Sequence, residues 1–345
     1  MRYKLNFSLF LLLASIICIN GFSQSLNYDS VKIKEMSYLP VENYELQISQ
    51  LLYIQPVENF FVIVHRNKNG ISVMNKQGEL ISHLGRSGRG PFEWQRPSFI
   101  QYQHGEITIW DAGNLKFLVY DENLEPLREV QGIQYSISGF NKKDRNLLST
   151  YMQPGTENEF VYIHEKESES NYKTTESLGS ITEEGRQFLF MEMMGGVIWN
   201  FDDLLWVDSS VPGFFIYDSK DKKTEKVNFE DELFSVDEWT GSSEMTAQSM
   251  SKLEDYFFSN SRIVSIQKIK DHILLEVEHF PDESSIINYH LFDLEYNYVT
   301  KLEAGDGGWM NYIRGVNDNQ LYYWGDDYFK TGLNGSIRVR EIVFE

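Results

Sequence analysis

Ile107-Thr-Ile-Trp-Asp-Ala-Gly-Asn-Leu-Lys-Phe-Leu-Val-Tyr-Asp121 lies on Leu204-Leu-Trp-Val-Asp-Ser-Ser-Val-Pro-Gly-Phe-Phe-Ile-Tyr-Asp218 without a gap. The match sets Asp111 on Asp208, Tyr120 on Tyr217 and Asp121 on Asp218. A third copy, Phe61 to Asn75, puts His65 at the first Asp position and Asn75 at the second. Each copy reads as strand, turn, strand, turn. His65 and Asp111 are 46 residues apart and Asp111 and Asp208 are 97 apart, which leaves room for one divergent unit, Tyr135 to Leu178. Two more units follow at Ile263 to Leu302 and Asn311 to Phe344. Six units of 40 to 50 residues, each with four strands, are the signature of propeller blades rather than of a helical solenoid.

The expected fold is therefore all-β: a six-bladed β-propeller with four-stranded antiparallel blades. The interval between the fourth and fifth units is too long for a turn, and at about 229–260 Met250, Leu253 and Phe257 fall at helical spacing. A short helical insertion packed on the rim is expected there. A ring also needs its ends joined, so Val31 to Ile48 is expected to give an outer strand to the blade ending at Phe344.

Residues 1–23 read as a secretory signal peptide, with Arg2 and Lys4 before an apolar run from Leu9 to Ile19 and cleavage expected between Ser23 and Gln24. That leaves 24–345 as one propeller domain, exported to the periplasm, the cell surface or the medium. The apolar run is too short to span a bilayer and nothing like it recurs, so no transmembrane segment is expected. Ile16 and Ile17 before Cys18 disfavour lipid attachment at that cysteine. Cys18 is the chain's single cysteine and leaves with the leader, so disulfides, thiolate nucleophiles and cysteine metal sites are not expected. Loss of the two leader cations moves the net charge from −20 to −22. So acidic a chain is a poor partner for nucleic acid, where Lys and Arg must neutralise phosphates.

Between the first two copies lies Leu84-Gly-Arg-Ser-Gly-Arg-Gly-Pro-Phe-Glu-Trp94. With Gly85, Arg86, Gly88, Gly90, Pro91, Glu93 and Trp94 it resembles the Gly-basic-x-Gly-x-Gly-Pro-x-Glu-aromatic segment of six-bladed propellers related to the NHL-repeat and TolB-like groups, numerous among exported proteins of Bacteroidetes. The family usually has Gly after the Pro, where this chain has Phe92. The resemblance implies the fold and an exported location, and it carries over no catalytic residues.

Strand alternation brings the link into each blade and the turn after its second strand to one face. Arg86, Arg89, Glu93, Trp94, His65, Asp111 and Asp208 are thus expected on a common rim, where two arginines and an indole suit a carboxylate or a sugar ring. The competing explanation is ion pairing of Glu93 and the arginines with each other and with nearby loops. For Asp111 and Asp208, turn chemistry is favoured over a metal or catalytic role, because Asp bonds the backbone two residues on and repetition is what architecture demands. The glycine order is neither a dinucleotide fingerprint nor a Walker loop. No His-Glu-x-x-His, calcium-loop or Gly-x-Ser-x-Gly pattern occurs, so no cofactor is evident.

The leading expectation is a binding module that recognises a protein, peptide or glycan through its loop face. The alternative is a propeller-type hydrolase or lyase, lactonase-like or glycan-cleaving, with a divalent metal or carboxylates in the central channel. Convergence of His, Asp or Glu in one pocket separates the two. A third expectation, a structural envelope component, predicts a broad apolar or edge-strand surface in place of a pocket.

Overall fold

The computed structural model describes residues 30–40, 51–65, 70–133, 137–152, 159–189, 195–241, 247–281, 284–307, 311–325 and 336–345. Residues 1–23, read above as a signal peptide, lie outside them. Among the described residues the strands form six four-stranded sheets and a two-stranded parallel pair, Arg86–Ser87 with Glu93–Trp94. Blade one runs from Leu51–Pro56 through Phe60–His65 and Ile71–Asn75 to Leu80–His83, in spatial order from the channel outwards. Blades two to five repeat this plan, with innermost strands Pro97–Gln103, Ile137–Lys142, Val197–Asn200 and Arg262–Ile269. Blade six is Ile313–Asn317, Gln320–Gly325 and Ser336–Phe344, completed by Val31–Pro40 from the other end of the chain. The paired strands inside the blades are antiparallel.

Contacts divide the chain into a unit of residues 32–343, which holds the blades, and a terminal unit of residues 1–31 and 344–345. Within the terminal unit Ser30 and Glu345 exchange both backbone hydrogen bonds, at 3.3 and 2.9 Å.

Alternation builds the core. Along the second strand of blade one, Phe61 and Ile63 pack with Tyr322, Trp324 and Ile337 of blade six, while Val62 and Val64 pack with Ile107, Ile109 and Leu118 of blade two. A period of two thus buries both faces of the sheet, and all five residues from Phe61 to His65 are inaccessible. Similar apolar seams join blades two to three, three to four and four to five. The seam between blades five and six is phenolic and charged instead. Tyr289 and Tyr323 share a hydrogen bond, and buried Arg262 pairs with Glu278, which also accepts from the Tyr312 hydroxyl.

The repeated second Asp position works as a turn former. Asp121 Oδ1 accepts the amides of Asn123 and Glu125 at 2.9 Å each, Asp218 Oδ1 those of Lys220 and Asp221, and Asn75 Oδ1 those of Gln77 and Glu79. Each carboxylate or amide oxygen closes the turn between the third and fourth strands.

Two helices occur among the described residues, α1 (Glu183–Leu189) and α2 (Ala247–Ser259). α2 is the expected insertion. Phe257 is buried and Leu253 half-buried, while the Met250 side chain lies outside the described set. α1 opens the link into blade four with a cap, because Thr182 Oγ1 accepts the Gly185 amide at 2.9 Å.

Candidate functional site

Six of the seven predicted rim residues gather around the link from blade one to blade two, and Asp208 stands at the link from three to four. Asp111 is buried and accepts the amides of Gln95, Arg96 and Gly113. Asp208 is also buried, accepting the Ser210 amide and the hydroxyls of Ser210 and Thr182. Both carboxylates clip an incoming link to the turn after the second strand, and burial pushes the Asp208 carboxyl up. His65 is buried with Nε2 2.8 Å from Ser72 Oγ, and burial followed by repulsion from His83 brings it down to about 4.

Trp94 is 4% exposed, so its indole is part of the core and not of an open grip. Its Nε1 donates to the Leu84 carbonyl at 2.9 Å, and its ring lies where a side chain on Gly70 would be. Glu93 accepts the Gly90 amide at 2.7 Å and Arg86 Nε at 2.6 Å, and these bonds hold its carboxyl below the usual range. The glycine-rich segment is therefore a nest for a carboxylate that the chain supplies itself. Of the seven, Arg86 and Arg89 are the exposed ones.

The central channel encloses a cavity of about 490 Å³ lined by the innermost strands of all six blades. Each blade carries an amide near the end of that strand: Gln55, Gln101, Asn141, Asn200, Gln267 and Asn317. Some of them tie neighbouring blades together. Gln101 Oε1 accepts the Lys142 amide at 2.8 Å, Asn141 Oδ1 the Trp199 amide at 3.2 Å, and Asn200 Nδ2 donates to the Leu294 carbonyl at 3.0 Å.

The charges in the lining are Lys268, Lys270 and Arg314 against one acid, Asp318. This is a cationic lining on a chain of net charge −20. Lys268 and Lys270 are exposed where blade five's first strand turns into its second. By strand alternation that mouth is opposite the Arg86–Trp94 rim. Lys268 Nζ donates to Asn200 Oδ1 at 3.1 Å and sits 4.7 Å over the ring of Phe201, which is 70% exposed. Among the described residues Lys270 makes no ion pair.

Behind the wall, Glu276 accepts Ser265 Oγ at 2.9 Å and the Ile313 amide at 3.0 Å, and complete burial pushes its carboxyl up to about 7. Residues on neighbouring strands shield it from the channel. In blade two, Glu106 collects Arg128 at 2.7 Å, Lys142 at 2.9 Å and Arg145 at 3.3 Å. Burial alone would raise its carboxyl, but the Arg128 and Lys142 hydrogen bonds win and hold it at about 2.

None of the cationic channel residues was singled out in the sequence. The signal that could have found the channel is the amide recurring once per unit near the end of the first strand.

The sequence pattern of a family described as DUF5128, 6-bladed beta-propeller, matches residues 15–298. No curated protein sequence matches the chain. Among solved structures, it is similar to a Bacteroides fragilis protein whose name assigns it to the exported class, at 11% identity and a TM-score of 0.62, over 94% of this chain and 98% of that one. A DUF4221 family member from Bacteroides vulgatus aligns over 93% of this chain and 99% of its own, at 8% identity and a TM-score of 0.58. A streptogramin B lyase aligns over 91% and 98%, at 9% identity and a TM-score of 0.50. Among the described residues no helix is long and apolar enough to cross a membrane.

Proposed function

Because the chain belongs to the DUF5128 family of six-bladed β-propellers, we propose that it is an exported binding module whose channel mouth takes an acidic ligand, a glycan or peptide bearing carboxylates. One observation carries the reading: three cations and a single acid line the channel of a strongly acidic protein. The surrounding negative field repels a generic anion, so a ligand must reach the mouth where Lys268 and Lys270 stand. The exposed Phe201 ring beside Lys268 offers a face for a sugar or an aliphatic side chain. Export is supported by the leader-like residues 1–23 and by the name of the Bacteroides fragilis neighbour.

The test is titration with oligogalacturonates and with poly-glutamate peptides at two salt concentrations. Binding that weakens with salt and falls roughly tenfold or more in Lys268→Glu/Lys270→Glu is expected. Equal binding of neutral oligosaccharides, or no effect of the double reversal, would sink the reading.

A second reading puts the ligand on the other face at Arg89, which is exposed and makes no ion pair among the described residues. Binding lost in Arg89→Glu and kept in the channel variant would favour it.

A further inference from the structure

Asp231, in the stretch joining blades four and five, reaches two histidines of blade five. Its Oδ2 lies 3.0 Å from His290 Nε2 and 3.4 Å from His279 Nε2, and the three ligand atoms all lie within 4.8 Å of one another. All three side chains are fully buried. None of them lines the channel.

The hydrogen bonds fix one tautomer. Ser261 Oγ donates its single hydrogen to the Leu233 carbonyl at 2.9 Å and accepts the Ser235 amide at 3.1 Å. Its contact with His279 Nδ1, at 3.1 Å, must then be one in which the imidazole donates. With the hydrogen on Nδ1, Nε2 carries a bare lone pair. That nitrogen is buried, makes no hydrogen bond and faces the carboxylate oxygen. Two acceptors aimed at each other in a fully buried pocket repel, and a cation between them removes the repulsion.

We propose that Asp231, His279 and His290 bind a divalent transition metal of the zinc class, which clamps the link between blades four and five onto blade five. The donor set is two imidazole nitrogens and a carboxylate oxygen, a combination suited to zinc. Bonds of about 2.0–2.2 Å in a tetrahedron place donors roughly 3.3–3.5 Å apart, close to the 3.0 and 3.4 Å from Asp231 to the two imidazoles, whose own nitrogens lie within 4.8 Å of each other. Water completes the fourth position. His290 must release Nε2 to the metal, and its hydrogen moves to Nδ1, where the Tyr298 hydroxyl lies 3.4 Å away. Other contacts already orient the ligands: His290 stacks on Phe229 at 4.0 Å and the Leu233 amide holds Asp231 Oδ1 at 3.0 Å. Lys301, 3.4 Å from Asp231 Oδ1 and 39% exposed, balances the carboxylate without metal and can withdraw to water when metal binds.

The experiment uses the folded, full protein stripped with EDTA and titrated with cobalt(II), then zinc(II). Expected are one equivalent bound, the visible absorption of four-coordinate cobalt, its displacement by zinc, and a melting temperature raised by metal and lowered again by EDTA. His279→Gln and Asp231→Asn should weaken uptake roughly 100-fold or more. The proposal fails if stripped, folded wild type takes up no stoichiometric metal, or if both variants bind as wild type does. It also fails if nitrogen NMR near neutral pH finds His279 doubly protonated with zinc present, since a proton would then fill the gap. Should the variants not fold, the wild-type titration alone decides.

Discussion

Glu93 fills the hollow that Gly88 leaves open: a Cβ on Gly88 would stand 2.0 Å from Glu93 Oε2. The same oxygen receives the Gly90 amide, so the carboxylate cannot give way without breaking that bond. Gly88→Ala should therefore lower stability by about 1–2 kcal/mol, read as a lower urea midpoint at unchanged slope. Gly105→Ala is the control, since no atom lies within 4 Å of its Cβ and backbone strain alone remains. Gly88 has no left-handed φ, so a Gly88→Ala variant as stable as wild type would show that the Glu93 contact adds nothing.

Glu106 sits among three cations, and the Lys142 side chain is itself 4% exposed. Glu106→Gln leaves that ammonium buried beside two guanidinium groups. A loss of about 3–5 kcal/mol in chemical denaturation is expected, because breaking a buried pair strands its partner. Wild-type stability from this carboxylate is complete above pH 4.5 and fades as pH falls through about 2, where the folded group finally protonates. A cost under about 1 kcal/mol would mean that water already screens the cluster.

Two kinds of buried group give stability opposite slopes with pH. His65 and His164 are held to about 4, against an ordinary 6.5, so below pH 6.5 the unfolded chain binds protons that the folded one refuses. Each should remove up to about 3 kcal/mol between pH 6.5 and 4. Glu276, raised from 4.5 to about 7, acts the other way: stability is highest below 4.5 and falls as pH climbs to about 7. Glu276→Gln should steepen the acid loss measured by denaturation at several pH values, and His164→Gln should flatten it. Parallel profiles for wild type and both variants would exclude these groups as the cause.

The blade was legible because its turns are chemical. Asp121, Asp218 and Asn75 recur where an oxygen must take the turn amides, so a short alignment finds them. Asp111 and Asp208 recur for the related task of holding a link. The fate of Trp94 was hidden, because its burial depends on Gly70, a turn residue of the preceding blade whose missing side chain makes the space. Phe92, where the family usually has Gly, has a φ of +52°, the left-handed region that glycine tolerates best. Its ring meets Tyr120 edge-on and its amide donates to Glu129 at 2.7 Å, which holds the residue in that conformation. Helix α1 had a readable start in Thr182-Glu183-Glu184, a cap followed by first-turn acids. The channel was the hardest to see. Lys268, Lys270 and Arg314 meet the other lining residues only when the ring closes, and no local spacing encodes that encounter.

Closure by Val31–Pro40 beside Ser336–Phe344 sets a waiting time. Synthesis proceeds from the N-terminus, so the first strand is finished roughly 300 residues before its neighbour exists, on the order of tens of seconds at ribosomal speed. For that interval both edges of its backbone are open to any passing strand, whereas in the finished ring Ser336–Phe344 covers one of them.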